Sequence, residues 1–246
     1  MKTGRGLPFS PGVAQFLLIL LLPLVSACGG RGSRTSGPSQ VSIDFGTNVP
    51  SRATAIGDSI TAGGVMIDGE SGDPPYPARL QNLLRARSPQ AQVINRGVGG
   101  QRTDGGLVTL TTALSTDRPG FVLIMEGTND VRQFVPLNQA AGNLREMVRR
   151  AKANKTVPVL ATIPRQLGAA QFFADDVVEL NAMIRQIASQ ENATLADVFA
   201  ALPDETFFLS DGFHPNRRGN EAIAVTFDSA LVRAGYPMAQ LVRQVR

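Results

Sequence analysis

The chain is poor in the residues on which many functional sites depend. Its 246 residues include one cysteine, one histidine, two tyrosines and no tryptophan. A lone cysteine cannot form an intramolecular disulfide, and with a lone histidine it cannot supply the usual ligands of a zinc site. The lack of tryptophan and the scarcity of tyrosine also argue against a surface on which nucleic-acid bases stack. We therefore expect no metal ion and no nucleic-acid partner.

The charge balance gives no second reason to expect nucleic acid. The chain has 24 basic and 20 acidic residues, and two of the basic ones, Lys2 and Arg5, lie at the extreme N-terminus. The densest basic cluster, residues 149–152, falls on a predicted helix, where a solvated face is the expected explanation. A hydrophobic content of 43% with 18% charged residues is typical of a globular protein, and this length suits one domain.

The N-terminus has the features of an export signal. Lys2 and Arg5 precede an apolar run, residues 13–25, which is too short to span a bilayer as a helix. The run continues into Leu24-Val25-Ser26-Ala27-Cys28, which resembles a bacterial lipobox, a motif whose cysteine is lipidated and becomes the new N-terminus. An ordinary signal peptide beside a chance cysteine is the alternative.

These features predict three segments: a signal peptide (residues 1–27), a lipidated Cys28 with a flexible tether (residues 28–50), and one folded domain (residues 51–246). Two or more acyl chains on one residue hold a protein stably at a membrane. We expect an envelope protein that faces the periplasm. Gly29 stands where an aspartate is associated with retention in the inner membrane, so the resemblance to lipoproteins favours the outer membrane.

Short apolar runs alternate with longer amphipathic stretches from Ala53 onward, which is the pattern of βαβ units around a parallel sheet. Five strands are predicted, at residues 53–57, 91–95, 121–126, 157–163 and 194–198. Helices are predicted at residues 77–87, 137–152 and 172–190, and from Pro215 or Asn216 to residue 234. A further helix is predicted between residues 103 and 114, although two adjacent glycines weaken it. The predicted fold is a three-layer α/β/α sandwich with a five-stranded parallel sheet.

Four segments carry reactive side chains. Three of them follow predicted strands: Gly57-Asp58-Ser59-Ile60-Thr61-Ala62-Gly63, Gly97-Val98-Gly99-Gly100 and Gly127-Thr128-Asn129-Asp130. The fourth precedes the last predicted helix: Asp211-Gly212-Phe213-His214-Pro215. Loops at the carboxyl ends of parallel strands are where such sheets carry their sites. The four segments, in this order, resemble the GDSL or SGNH hydrolase family over residues 53–224. The resemblance implies a flavodoxin-like sheet and an SGNH hydrolase domain.

The resemblance assigns roles to individual residues. Ser59, Gly100, Asn129 and His214 match the four residues that name the family, and Asp211 matches its triad acid. The family uses the serine as nucleophile, and it binds the oxyanion through the counterparts of the Ser59 and Gly100 N–H groups and the Asn129 amide. Ile60 stands where the family often has leucine.

The chemistry of the side chains, taken without the family resemblance, indicates the same catalytic residues. A serine hydroxyl needs a neighbouring base, imidazole exchanges protons near neutral pH, and His214 is the sole imidazole. A tight turn at Gly212 could bring Asp211 to the ring and fix its tautomer. The alternative is that these residues only cap helices and form turns. We interpret Asp58 and Asp130 in that way, as support for their loops.

Ester hydrolysis through an acyl-enzyme is the function that the resemblance implies, on short- to medium-chain acyl esters, as in lysophospholipases and arylesterases. Deacetylation of an envelope polysaccharide is one alternative, and a non-catalytic binding module on the same fold is another. Two loops were candidates for an acyl pocket or for core packing: residues 64–77, with Val65, Met66, Ile67 and Tyr76, and residues 164–173, with Leu167, Phe172 and Phe173.

The sequence disfavours two other folds, the ordinary α/β-hydrolase fold and a dinucleotide-binding fold. The chain has no Gly-x-Ser-x-Gly segment, which argues against the ordinary α/β-hydrolase topology. Gly97-Val98-Gly99 lacks the third glycine of a dinucleotide-binding loop, because position 102 is arginine. We therefore expect no cofactor, a small-molecule or lipid ester as substrate, and a monomer that contacts the membrane only through its lipid.

Overall fold

The computed structural model describes residues 43–237. The predicted signal peptide, Cys28 and the tether up to residue 42 lie outside the described residues. The last part of the predicted tether is folded, because the apolar ring of Phe45 packs on Phe121 with 5.5 Å between centroids, and Val49 already belongs to a strand. None of the helices within residues 43–237 has the length and apolarity needed to cross a membrane.

A five-stranded parallel sheet forms the centre of the domain. In chain order the strands are β1 (Val49–Gly57), β2 (Met66–Ile67), β3 (Glu70–Ser71), β4 (Gln92–Asn95), β5 (Pro119–Met125), β6 (Val157–Ala161) and β7 (Thr194–Ala196). The sheet has the order β4-β1-β5-β6-β7, and every neighbouring pair is parallel. The short β2 and β3 pair with each other in an antiparallel ribbon that was not predicted. All five predicted strands are present, so the predicted sheet is confirmed.

Two of the strands, β6 and β7, end two residues earlier than predicted because side chains take over the backbone hydrogen bonds. Ile163 donates its N–H to Asn181 Oδ1 at 2.8 Å and accepts from Asn181 Nδ2 at 2.9 Å, so β6 ends before it. Asp197 caps the next helix by accepting from Ala200 N at 3.3 Å, which ends β7. Polar groups on helices and loops thus set the strand ends.

Helices cover both faces of the sheet. They are α1 (Ser59–Ala62), α2 (Tyr76–Arg85), α3 (Thr103–Thr116), α4 (Thr128–Arg132), α5 (Leu137–Ala153), α6 (Ala174–Gln190), α7 (Val198–Ala201) and α8 (Arg217–Arg233). The predicted start of α6 at Phe172 falls instead in a 3₁₀ turn, Gly168–Phe173. Helix α8 begins two residues after Pro215, because Asn216 lies outside it as the N-cap and accepts from Gly219 N at 3.1 Å.

The alternation along β5 shows how the core is divided. Phe121, Leu123 and Met125 point towards α2 and α8, whereas Val122 and Ile124 point towards α3, α5 and α6. All seven residues of β5 are buried, as expected of a strand that is covered on both faces. The arrangement is the predicted three-layer sandwich.

Helix α3 forms in full although Gly105 and Gly106 weakened its prediction. A Cβ on Gly106 would lie 2.7 Å from Met147 Cε and 3.0 Å from Glu126 Oε1, so the missing side chain lets α3 pack closely against α5 and the end of β5. The loss of intrinsic helix propensity is offset by this tertiary packing, which the local sequence does not show.

Candidate functional site

The four segments that carry reactive side chains converge at the carboxyl edge of the sheet. Ser59 opens α1 directly after β1, and Gly100 lies in the loop after β4. Asn129 belongs to α4, two residues beyond the glycine that follows β5, and His214 lies in the loop before α8. Three separate βα connections and the loop before the last helix therefore build one region, as the rule for parallel sheets predicts.

Ser59, His214 and Asp211 form a continuous chain of contacts. The Ser59 Oγ lies 2.9 Å from His214 Nε2, and His214 Nδ1 lies 2.5 Å from Asp211 Oδ2. Because an ionised carboxylate only accepts hydrogen bonds, this contact favours the proton on Nδ1. Nε2 is then left as an acceptor that faces the serine hydroxyl.

The turn between Asp211 and His214 is built by the same carboxylate. Asp211 Oδ1 accepts from Phe213 N at 3.1 Å and from His214 N at 3.0 Å. Gly212 has a φ of +77°, and a Cβ there would lie 2.0 Å from Leu167 O. Only glycine fits this position, so the predicted tight turn at Gly212 is confirmed.

The turn that carries Ser59 leaves no space for a side chain on two nearby glycines. A Cβ on Gly57 would lie 2.0 Å from Thr61 Oγ1, and one on Gly97 would lie 2.3 Å from Ala62 N. Asp58 holds the turn from below, where its Oδ1 accepts from Ile60 N at 2.9 Å. Burial raises the pKa of Asp58 to about 6. The interpretation of Asp58 as support for its own turn fits this geometry.

Asn129 lies between the two loops that flank it. Its Nδ2 donates to Gln101 O at 2.9 Å and lies 3.5 Å from Asp58 Oδ2. Within residues 43–237, no acceptor takes the backbone N–H of Ser59 or of Gly100. A Cβ on Gly100 would meet nothing within 4 Å, so this loop borders open space. The amide of Asn129 is thus held beside Gln101 and Asp58, which are the chain neighbours of the two backbone donors, Gly100 and Ser59.

Asp130 supports a helix instead of its own loop. Its two oxygens accept from Thr103 N at 2.9 Å and from Thr103 Oγ1 at 2.6 Å, and these bonds hold the first residue of α3. Burial raises the pKa of Asp130. The prediction that Asp130 supports its own loop by local hydrogen bonds is wrong, because the partner of its side chain is 27 residues away in the chain.

Two residues of the region, Glu126 and Gln101, were not identified from the sequence. Glu126 is fully buried at the end of β5, and its Oε1 accepts from Gln101 Nε2 at 2.7 Å. Burial raises the pKa of Glu126 well above its usual range, and the charge of Asp58 adds to the effect. An acid that directly follows a run of five apolar residues was the available signal, because such a strand end is covered on both faces.

A small cavity opens beside Ser59 and His214. Its volume is about 10 Å³, and it is lined by Ser59, Ile60, Gly63, Gly64, Val65, Gly72, Asp73, His214, Pro215 and Asn220. This is about the space that one water molecule needs. Of the predicted loop 64–77, Val65 reaches the cavity, whereas Met66 is 66% exposed.

Tyr76 belongs to the core, which decides between the two alternatives given for it. Its side chain has no exposed surface, and its ring stacks on Phe227 with 5.1 Å between centroids. Its hydroxyl lies 3.1 Å from Thr61 Oγ1. Tyr76 therefore supports α1, the helix that begins at Ser59, and it does not line the cavity.

Two residues of the loop 164–173, Phe172 and Phe173, form an aromatic cluster with Phe134, which follows α4. Ring centroids within it lie 5.2–6.3 Å apart, and Phe172 is 79% exposed. The cluster lies outside the cavity. Arg132 connects it to the site, because its guanidinium lies 5.1 Å from the Phe173 ring and 3.9 Å from the ring of Phe213, the neighbour of His214.

Leu167 has a structural task in the same loop. Its N–H donates to Gly212 O at 2.9 Å, and its side chain packs against the core on the α2 and α8 side. Together with the close approach of Leu167 O to Gly212, this contact fixes the turn that carries His214. In the part of the chain from residue 43 to 237, no group of three or more His, Cys, Asp and Glu side chains is placed to hold a metal ion.

A serine, a histidine and an aspartate in this geometry, at the carboxyl edge of a parallel sheet, are the arrangement of the serine hydrolases. Chemically, such a group can transfer a proton from the serine to the ring while the aspartate holds the ring in place. The model of the GDSL-like lipase/acylhydrolase family matches residues 55–222. The chain belongs to this family of hydrolases, as the resemblance of its four segments predicted.

Three proteins illustrate what the chain is similar to. Thioesterase 1/protease 1/lysophospholipase L1 of Escherichia coli is 27% identical over 172 residues, which are 69% of this chain and 77% of that protein. The uncharacterized lipoprotein YqeF of Bacillus subtilis is 26% identical over 153 residues, 59% of this chain and 55% of that protein. The structure of the acetylxylan esterase Axe2 from Geobacillus stearothermophilus matches with a TM-score of 0.59 and 25% identity, over 76% of this chain and 94% of that one.

Proposed function

We propose that the protein is a carboxylic ester hydrolase that works through an acyl-enzyme on Ser59. The observation that carries the proposal is the chain of contacts from Ser59 Oγ through the His214 ring to Asp211, at 2.9 and 2.5 Å. A serine hydroxyl with no base is a poor nucleophile, and this geometry supplies the base and its orienting acid.

Each residue has one role in the proposed reaction. Ser59 Oγ attacks the ester carbonyl while His214 Nε2 takes its proton. His214 then gives the proton to the leaving alcohol, and a water molecule, activated by the same ring, hydrolyses the acyl-enzyme. Asp211 keeps the ring oriented and stabilises its charged form.

The oxyanion is bound, in this proposal, by the N–H groups of Ser59 and Gly100 and by the amide of Asn129. The lack of a backbone or side-chain partner for both N–H groups among residues 43–237 supports this role. The bond from Asn129 Nδ2 to Gln101 O at 2.9 Å supports it as well, because it fixes the amide and leaves its second hydrogen with only a 3.5 Å contact to Asp58 Oδ2. Donors that are held in place before the reaction stabilise the charge that develops on the carbonyl oxygen.

A short acyl group is the proposed preference within the esters that lysophospholipases and arylesterases of this family cleave. The cavity beside Ser59, at about 10 Å³, has room for a group of roughly the size of one water molecule. The same cavity favours a second candidate function, deacetylation of an envelope polysaccharide, which the resemblance to an acetylxylan esterase also supports. A binding module without activity is disfavoured because every side chain of the site is present.

We place the protein in the cell envelope, anchored by lipid on Cys28 after removal of residues 1–27, with its domain in the periplasm at the outer membrane. The lipobox-like sequence and the similarity to a lipoprotein support this. Growth with labelled palmitate tests the anchor: label must enter the parent and not Cys28→Ala. Label in both proteins, or in neither, would contradict it. Sucrose-gradient separation of the two membranes tests the outer-membrane assignment.

Hydrolysis of p-nitrophenyl esters of increasing chain length by the full chain in mild detergent tests the activity. Ser59→Ala and His214→Ala should each abolish it, and the acetyl ester should be preferred. Ser115→Ala is the matched control, because this exposed serine only donates to Thr112 O at 2.9 Å on α3. Full activity in Ser59→Ala would contradict the site, and no activity in the parent would favour the binding module.

A second measurement separates the two ester functions. Release of acetate from acetylated polysaccharide is compared with hydrolysis of p-nitrophenyl butyrate at the same enzyme concentration. A much higher kcat/KM on the sugar would support the deacetylase, whereas preference for the longer acyl chain would exclude it.

A further inference from the structure

We propose that Glu126 is a positioning residue of the oxyanion site and acts through Gln101 on Asn129. The inference rests on the proposed function, because it concerns the group that binds the oxyanion. Glu126 itself is buried beneath the loops and does not reach the cavity beside Ser59. Its influence must therefore pass through the residues that it contacts.

The first link joins Glu126 to the side chain of Gln101. Gln101 Nε2 donates to Glu126 Oε1 at 2.7 Å and to Gly57 O at 3.3 Å, and Gln101 Oε1 accepts from Thr109 Oγ1 at 2.8 Å. Both ends of the amide are thus fixed, one by Glu126 and the end of β1, the other by α3. A side chain that is held at both ends also restrains its own backbone.

The second link joins the backbone of Gln101 to Asn129. Gln101 O accepts from Asn129 Nδ2 at 2.9 Å, which occupies one of the two hydrogens of this amide. The other hydrogen has only a long contact, 3.5 Å, with Asp58 Oδ2, and in this proposal it turns from Asp58 to the oxyanion. Gly100, whose N–H is the second donor, is the residue immediately before Gln101. Glu126 therefore restrains the segment that positions two of the three proposed donors.

The surroundings of Glu126 determine whether its side chain is protonated or charged when it accepts from Gln101. Three acidic side chains act on its charge: Asp58 from the turn after β1, Asp104 from α3 and Asp130 from α4. Among residues 43–237, its Oε2 has no hydrogen-bond partner. Burial first, and then the charge of Asp58, favour the protonated form by raising the pKa. A neutral acid accepts from Gln101 through its carbonyl oxygen, and a glutamine can do the same.

Two substitutions of Glu126 test the proposal on the full chain. Glu126→Gln keeps the acceptor and should stay within about twofold of the parent in kcat. Glu126→Leu removes it and should lower kcat by about tenfold or more with KM changed less than about twofold, because a displaced oxyanion donor costs part of the 100- to 1,000-fold loss caused by its removal. Thr54→Val is the control: it removes a buried bond to Asp117 at 3.1 Å, far from the loops. It should lower the melting temperature but not kcat.

A double-mutant cycle shows whether the effect passes through Asn129. Glu126→Leu should lower kcat clearly less in Asn129→Ala than in the parent, because residues that act as one unit are not additive and only the Gly100 donor is then left to displace. Gln101→Ala breaks the same link at a partly exposed residue and should give the same fall in kcat, so the test remains if Glu126→Leu does not fold. The same loss from Glu126→Leu in both backgrounds would overturn the proposal.

The proposed function and this inference are refuted by different results. A parent without esterase activity refutes the proposed function and this inference with it. An active parent that loses activity in Ser59→Ala, but keeps full kcat in Glu126→Leu and Gln101→Ala, refutes the inference alone.

Discussion

The carboxylate of Asp211 contacts His214 at two points. One oxygen accepts from the backbone N–H of His214 at 3.0 Å, and the other lies 2.5 Å from Nδ1 of its ring. The same side chain therefore shapes the turn and orients the ring that the turn carries. A shift of the backbone at Gly212 would change both contacts at once, which links the fold of this loop to its proposed chemistry.

Asp211→Asn should abolish most activity and preserve the fold. The remaining oxygen can still accept the backbone N–H groups of Phe213 and His214, but the amide would present a donor to Nδ1 and favour the wrong tautomer. Loss of the corresponding acid in serine proteases costs about 10⁴-fold in kcat. Steady-state kinetics with p-nitrophenyl acetate measures the loss.

The control for this prediction is Asp204→Asn. Asp204 accepts from Thr206 N at 3.0 Å in a similar capping turn, with no histidine ring beside it. Its substitution should leave kcat unchanged. An Asp211→Asn variant with more than about a tenth of the parent activity would show that the ring is oriented by other groups.

Asn129→Ala should lower kcat by about 100- to 1,000-fold with a small change in KM, because a donor to the oxyanion acts mainly in the transition state. Asn143→Ala is the matched control. Its amide likewise donates to a polar group, Thr103 Oγ1 at 2.9 Å, but it belongs to α5. Equal losses of kcat in the two variants would point to damage of the fold instead of loss of a donor.

Asp58→Asn should stabilise the protein at neutral pH and have little effect on stability at pH 4. Burial raises the pKa of Asp58 to about 6, above its usual value. The folded state therefore favours the protonated acid, and the stability that this gives is lost as pH rises from about 4 through 6. The asparagine keeps the acceptor for Ile60 N without the buried charge. Thermal melts from pH 4 to 8 measure the difference, and a gain that is constant over this range would contradict the prediction.

Gly212→Ala should destabilise the domain far more than Gly64→Ala does. Both glycines have a similar positive φ, +77° and +78°, and left-handed backbone costs an alanine roughly 1–2 kcal/mol. The added Cβ meets nothing within 4 Å at Gly64, but it would lie 2.0 Å from Leu167 O at Gly212. Denaturant unfolding of both variants separates backbone strain from steric overlap, and equal losses would show that the 164–173 loop moves aside.

The apolar runs of this chain were sufficient to predict its fold. A fully buried strand such as β5 is apolar throughout, and each of the five predicted runs overlaps a strand of the sheet. The four polar segments were found because they directly follow strands or precede α8. Their order also identified Ser59 and His214 as neighbours, which the 2.9 Å contact now shows.

Features that depend on packing between distant segments could not be predicted. The glycines of α3 appear unfavourable until Met147 and Glu126 are seen against them. The sequence left Tyr76 open between an acyl pocket and the core. Its contact with Phe227, about 150 residues later in the chain, assigns it to the core. Gln101 looks like an ordinary loop residue in the sequence, and its hydrogen bonds to Glu126 and Asn129 exist only because three loops meet at one edge of the sheet.

The glycines around Ser59 divide its surroundings into a part that cannot vary and a part that can. Any side chain at Gly57 or Gly97 would collide with the nucleophile turn, whereas a Cβ at Gly99 would meet nothing within 4 Å. Gly99 is also not among the residues with positive φ, so it can accept other amino acids without strain. Evolution, or a designed library, can therefore vary position 99, the neighbour of Gly100, while the reactive serine stays where it is.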